Sequence, residues 1–172
     1  KLINRFNWIP NCFKSKIKNA SIISNGIELV SLDEKKYVEV KELINKDFFL
    51  YVGDRRPHKN IIYLIKLVKA LNKKFSKNTI LILAGSNKYK NLKLNKFISN
   101  NNALVHEILN PSDLTLDFLY RNCKSFFLIS KEEGFGIPVI EAASRGAKIV
   151  ISNIPALRDI SPKYSCIINL RE

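Results

Sequence analysis

The sequence predicts an α/β domain built on a doubly wound, mainly parallel sheet. Two observations predict it. Short continuous apolar runs recur between residues 46 and 169, and stretches with apolar residues at helical spacing separate them. Continuous apolar strands are those buried on both faces, and parallel pairing needs crossover helices to cover those faces. Such a Rossmann-like sheet binds ligands beyond the carboxyl ends of its strands.

Phe48–Val52 is the first strand, ending at Gly53. Asn60–Phe75 is helical: Ile61, Leu64, Ile65, Val68, Leu71 and Phe75 form one stripe, and Lys66, Lys69 and Lys73 the opposite one. Thr79–Ala84 is a buried strand stopped by Gly85, and a Lys-rich helix is expected over Tyr89–Ile98. Ala103–Ile108 is a strand. Ser112 is the expected N-cap of a helix running to Asn122. Ser125–Ile129 is a strand, and the turn Gly134–Gly136 opens a helix that ends near Gly146, a residue suited to a left-handed cap. Lys148–Ser152 is a strand, Pro155–Ile160 a short helix and Ser165–Asn169 a last strand. The turns facing a ligand are then 53–60, 85–90, 108–112, 130–138 and 152–155.

The first twenty residues fit this pattern poorly and read as the tail of an upstream domain or linker. Residues 21–172 form the predicted domain. The chain starts at Lys1 and contains no Met, so a fragment or processed chain is expected. No apolar run reaches the ~18 residues of a membrane span, and no signal peptide is visible. Cys12, Cys123 and Cys166 are scattered and odd in number, which suits reduced thiols in a cytoplasmic setting. With His58 and His106 the only histidines, no metal site is expected. His58 reads as a solvated loop residue and His106 as a satisfied structural one.

The net charge of +14 admits polyanionic partners. Lys, Asn and Ile are abundant together, however, and that compositional drift would place Lys on any solvated face. A nucleic-acid-binding domain is disfavoured, since Lys88, Lys90, Lys93 and Lys96 have only Tyr89 among them.

Two turns carry chemistry. In GDRRPHKN, residues 53–60, Arg55, Arg56 and Lys59 occupy the strand-to-helix turn where an anion would bind. Lys59 falls at a helix N-terminus, where its charge opposes the macrodipole, so a ligand is expected to supply negative charge. The plain alternative is a solvated basic turn. No GxxxxGK[ST] loop occurs. In EEGFGIPVIEA, residues 132–142, Glu133 lies at a strand end and Glu141 one to two turns into a helix. Pro138 suits the first helical turn and leaves the N–H groups of Phe135, Gly136 and Ile137 able to face a ligand. The alternative is a tight turn that needs two glycines, with acidic residues placed to suit the helix dipole.

YVGDRRPHKN, LILAG, DFLYRNCKSFFLIS, EEGFGIPVIEA and GAKIVISNIPALRDI, in this order, resemble the carboxyl-terminal half of family-4 retaining glycosyltransferases of the two-domain GT-B type. The resemblance covers about residues 20–170, and SIISNGIE, residues 21–28, looks like the family's interdomain linker. It implies a nucleoside-diphosphate sugar as donor, a missing amino-terminal acceptor domain, an unknown acceptor at a membrane surface and no metal cofactor. A cytoplasmic protein, peripheral at the membrane face, follows, and so does an isolated segment that binds donor without transferring sugar. By the same resemblance Glu133 would place the donor sugar and Glu141 would accept hydrogen bonds from the ribose. Gly53 and the backbone of Phe135, Gly136 and Ile137 would line the donor. Arg55 and Lys59 would neutralise the pyrophosphate, with Arg56 the alternative to Arg55. Asp54 stands where many members have Arg. A non-catalytic nucleotide-binding module is the second reading.

Overall fold

The structure, a computed structural model, describes residues 40, 43, 46–89 and 91–170. The expected tail, the linker and Cys12 lie outside the described residues. Six strands form one sheet: β1 (Phe48–Val52), β2 (Ile80–Gly85), β3 (Val105–Leu109), β4 (Ser125–Leu128), β5 (Ile149–Ser152) and β6 (Cys166–Ile168). The helices are α1 (Ile61–Phe75), α2 (Leu92–Ser99), α3 (Asp113–Asn122), α4 (Ile137–Ser144) and α5 (Pro155–Ile160), with a 3-10 turn at Pro57–Lys59. The strand order is β3-β2-β1-β4-β5-β6, and every pair is parallel. The sheet is therefore all parallel, as the continuous apolar runs require.

The core lies on both sides of the central strands. Phe48, Leu50, Tyr51, Leu81, Ile82, Leu83 and Phe126 are fully buried. Side chains of this size contribute about 1.5–3 kcal/mol each through burial. From α1, Ile61, Leu64, Ile65 and Val68 enter the core. Phe75, expected at the end of that stripe, is 58 % exposed. It occupies the last turn of α1, where Ser76 turns the chain left-handed (φ 50°) and donates its N–H to Asn72. Two other expectations need correction. The second helix starts at Leu92 rather than Tyr89, because the Asn91 side chain caps it by accepting from the Leu94 N–H at 3.0 Å. His106 is exposed on the edge strand β3, so it is not a satisfied core residue. Ser112 caps α3 as expected, accepting from the Thr115 N–H at 3.2 Å.

Candidate functional site

β1 and β4 are neighbours in space although their paired residues are 76 positions apart in sequence, as Phe49 opposite Ser125 shows. From β1 the chain continues to β2 on one side, and from β4 to β5 on the other. Their carboxyl ends form the topological switch point, where open α/β sheets leave a crevice. Both turns singled out in the sequence emerge there.

The two turns are fastened to each other. The Lys131 N–H donates to the His58 carbonyl at 2.7 Å, and Asn60 Nδ2 donates to the Ile129 carbonyl at 3.4 Å. Lys59 Nζ lies 2.8 Å from both carboxylate oxygens of Glu133. Ser130 Oγ adds a hydrogen bond to Glu133 Oε1 at 2.6 Å. Lys59 and Glu133 keep only 13 % and 8 % of their side chains exposed. The negative charge expected opposite Lys59 thus comes from Glu133. A cleft of about 390 Å³ opens beside them, lined by Arg56, His58, Lys59, Glu132, Glu133 and Gly134.

Arg55 is not where the sequence reading expects it. It is 1 % exposed, and its guanidinium donates to the carbonyls of Gly53 at 3.1 Å and Leu83 at 2.8 Å. Its Nε reaches Glu107 Oε1 at 3.4 Å. Arg55 therefore ties together the ends of β1, β2 and β3. Gly53 lies just past the end of β1, where a buried carbonyl needs a donor from outside the ladder. Tyr51 supports the same turn: its hydroxyl donates to the Asp54 carbonyl at 2.7 Å, and burial pushes its pKa well above the ordinary phenol value.

Arg56, the alternative to Arg55, is exposed and held by Asp54. Its Nη2 and Nε lie 2.6 and 2.7 Å from Asp54 Oδ2. Partial burial pushes the Asp54 carboxyl up, but hydrogen bonds from the Arg56 side chain and N–H outweigh it and hold the pKa below the ordinary value.

The second turn reaches α4 through Gly136, whose φ is 86°. A Cβ there would come within 2.6 Å of Leu157 Cδ2 on α5, so the position demands glycine on both counts. Among the described residues no protein acceptor is found for the N–H groups of Phe135, Gly136 and Ile137. They cluster at the amino end of α4, where the helix dipole favours an anion.

Glu141, on α4, is oriented by residues that the sequence reading did not single out. Tyr120 Oη on α3 donates to Glu141 Oε2 at 2.8 Å. Tyr120 is buried; its desolvation first, and the neighbouring Glu141 charge second, push its pKa far above the ordinary value. The Arg145 guanidinium lies 5.5 Å from the centre of the Tyr120 ring and donates to Asp117 Oδ1 at 2.7 Å. Asp117, fully buried, also accepts from Arg121 Nε at 2.8 Å. The four-residue spacing of Asp117 and Arg121 on a helix was the one readable signal for this cluster. No group of three or more His, Cys, Asp or Glu side chains is placed to hold a metal ion among the described residues.

Known proteins share this fold. AviGT4, a glycosyltransferase involved in avilamycin A biosynthesis, superposes with a TM-score of 0.60 at 19 % identity, over 72 % of this chain and 38 % of that one. Anabaena HepE, solved in complex with UDP and glucose, superposes with a TM-score of 0.64 at 15 % identity, over 74 % of this chain and 36 % of that one. In sequence, the O-antigen chain mannosyltransferase RfbU of Salmonella typhimurium is 26 % identical over 158 residues, covering 88 % of this chain and 42 % of RfbU. O-antigen chain mannosyltransferase B of Escherichia coli is 28 % identical over 121 residues, covering 69 % of this chain and 32 % of its own. The chain thus spans less than half the length of these relatives. The sequence profile described as glycosyl transferases group 1 matches residues 18–165, and the chain belongs to that family.

Proposed function

We propose that this chain is the donor-binding part of a retaining glycosyltransferase in glycan biosynthesis, and that it holds a nucleoside-diphosphate sugar at the switch point between β1 and β4. The observation that carries the reading is the Lys59–Glu133 pair, which joins the two turns beside the amino end of α4. A pyrophosphate in the cleft would meet Lys59, Arg56 and the N–H groups of Phe135, Gly136 and Ile137. These cationic and dipolar groups would stabilise the departing nucleoside diphosphate, and the reading needs no divalent metal. Glu133 would accept from sugar hydroxyls and Glu141 from the ribose. Arg55 keeps the first turn in shape instead of gripping phosphate.

The two relatives named as O-antigen mannosyltransferases favour a mannosyl donor. A cytoplasmic enzyme that works on an acceptor at the membrane surface belongs to the same proposal. The acceptor would be held by an amino-terminal domain, with closure of the two excluding water. A nucleotide-binding module without transfer activity finds no specific support.

Calorimetry with GDP-, UDP- and ADP-sugars tests the donor assignment. Glu141→Ala is expected to weaken nucleoside-diphosphate binding by about 1–3 kcal/mol through loss of the ribose contacts. Unchanged affinity would remove the ribose role. Transfer by the full-length parent, with chelator present and the anomeric configuration of the product determined, tests the metal-free and retaining assignments.

A further inference from the structure

Two fully buried serines stand at the carboxyl ends of the neighbouring strands β4 and β5. Ser152 is the last residue of β5, and Ser130 lies two positions past the end of β4. The residues leading to them, Phe126 to Ile129 and Ile149 to Ile151, are all apolar. A buried hydroxyl costs free energy unless it is hydrogen-bonded, and an alanine would fill the same space without that demand. Both hydroxyls are engaged, and they form a chain. Ser152 Oγ donates to the Ser130 carbonyl, and Ser130 Oγ donates to Glu133 Oε1 at 2.6 Å.

The backbone that carries Ser130 is pinned from three elements. The Ile129 carbonyl accepts from Asn60 at the start of α1, and the Ser130 carbonyl accepts from Ser152 on β5. The Lys131 N–H donates to the His58 carbonyl in the 3-10 turn. Three consecutive residues are thus fixed by three bonds from outside β4. A hydroxyl mounted on such a backbone does not follow a swinging carboxylate; it holds the carboxylate in one place.

Lys59 holds Glu133 by other means. Its ammonium lies 2.8 Å from both carboxylate oxygens, as a point charge on a flexible stem. A pyrophosphate in the cleft competes for that ammonium. Once Lys59 turns to the phosphate, Glu133 faces a second anion and has lost its charged donor. The Ser130 hydroxyl is neutral and fully buried, so the phosphate does not draw it away. Oε2 has Lys59 as its one partner among the described residues, and it is the oxygen freed for a ligand hydroxyl. We infer that Ser130, itself fixed by Ser152, is the positioning residue of Glu133. It keeps the carboxylate aimed at the donor sugar while Lys59 moves to the pyrophosphate. This rests on the donor reading above and adds the group that makes the two roles compatible.

Calorimetry on the whole chain with GDP against GDP-mannose, and with UDP against UDP-glucose, separates the sugar from the diphosphate. Ser130→Ala should weaken binding of the sugar nucleotide about tenfold, the equivalent of one hydrogen bond to a charged group, and leave the bare diphosphate unchanged. Ser130→Cys keeps a weak donor of similar size and should fall between. Ser152→Ala should act in the same direction by less. In a Glu133→Ala background, Ser130→Ala should change the ratio of the two affinities no further, because no carboxylate is left to hold. Circular dichroism verifies the fold of each variant. Equal losses for both ligands, full affinity for both, or the same loss with and without Glu133 would overturn the inference and leave the donor reading standing. A wild-type chain that binds none of the four ligands would remove the donor reading, and the inference with it.

Discussion

The Tyr120 hydroxyl donates a 2.8 Å hydrogen bond to Glu141 Oε2, linking α3 to α4. The carboxylate is thereby held in one orientation before any ligand arrives. Tyr120→Phe is expected to cost about 1–2 kcal/mol of stability, because it removes a hydrogen bond to a charged group. It should weaken nucleoside-diphosphate binding less than Glu141→Ala does. Urea denaturation and calorimetry check both; a variant with wild-type stability and affinity would show that the bond orients nothing.

Lys59 and Glu133 form a largely buried pair, so each single truncation leaves an uncompensated charge. Lys59→Ala and Glu133→Ala should each destabilise by about 3–5 kcal/mol. The double variant should be well short of the sum of the two. A double-mutant cycle by urea denaturation measures the coupling. Strict additivity would mean that the pair is not formed in solution.

The two neighbouring arginines should behave differently. Arg55→Met removes the guanidinium that donates to the Gly53 and Leu83 carbonyls. It should lower the unfolding midpoint and weaken nucleoside and nucleoside diphosphate alike. Arg56→Gln breaks an exposed ion pair worth about 0–1 kcal/mol and should leave stability nearly unchanged. Its loss should fall on the diphosphate. Affinity measured for both ligands separates the cases, and a diphosphate-selective loss in Arg55→Met would return that residue to the phosphate.

The thiols report on burial. Burial pushes the Cys123 pKa up to about 12, and its Sγ–H donates to the Tyr120 carbonyl at 3.4 Å. Cys166 is exposed. Since the thiolate is the reactive species, alkylation near pH 8 should label Cys166 well before Cys123. Peptide mass spectrometry after timed labelling reads the order. Early labelling of Cys123 would show that the α3–β4 junction opens readily.

The strands were legible because burial on both faces leaves unbroken apolar runs; Phe48–Val52 emerges with the expected bounds. Helix bounds slipped where a side chain decided them, as Asn91 does for α2. Glu133, Lys59 and Glu141 were legible as candidates because turn position restricts what a charged residue can face. The burial of Arg55 was not legible, because the two adjacent arginines of the turn differ in direction, not in composition. Sequence spacing cannot say which of two arginines turns inward to the carbonyls of β1 and β2. Tyr120 escaped notice because its partner is 21 residues away, on another helix.

The Lys59–Glu133 contact closes a loop of 74 residues. Loop closure grows costlier with length, and contacts so distant in sequence form after local ones have organised the chain. β1, β2 and β3 with α1 and α2 can begin to assemble while β4 is still being synthesised. The crevice cannot. A nascent chain that stops before Glu133 would display the first turn with Lys59 lacking its carboxylate. Emergence of residues 125–136 from the ribosome is then the step at which the site first exists.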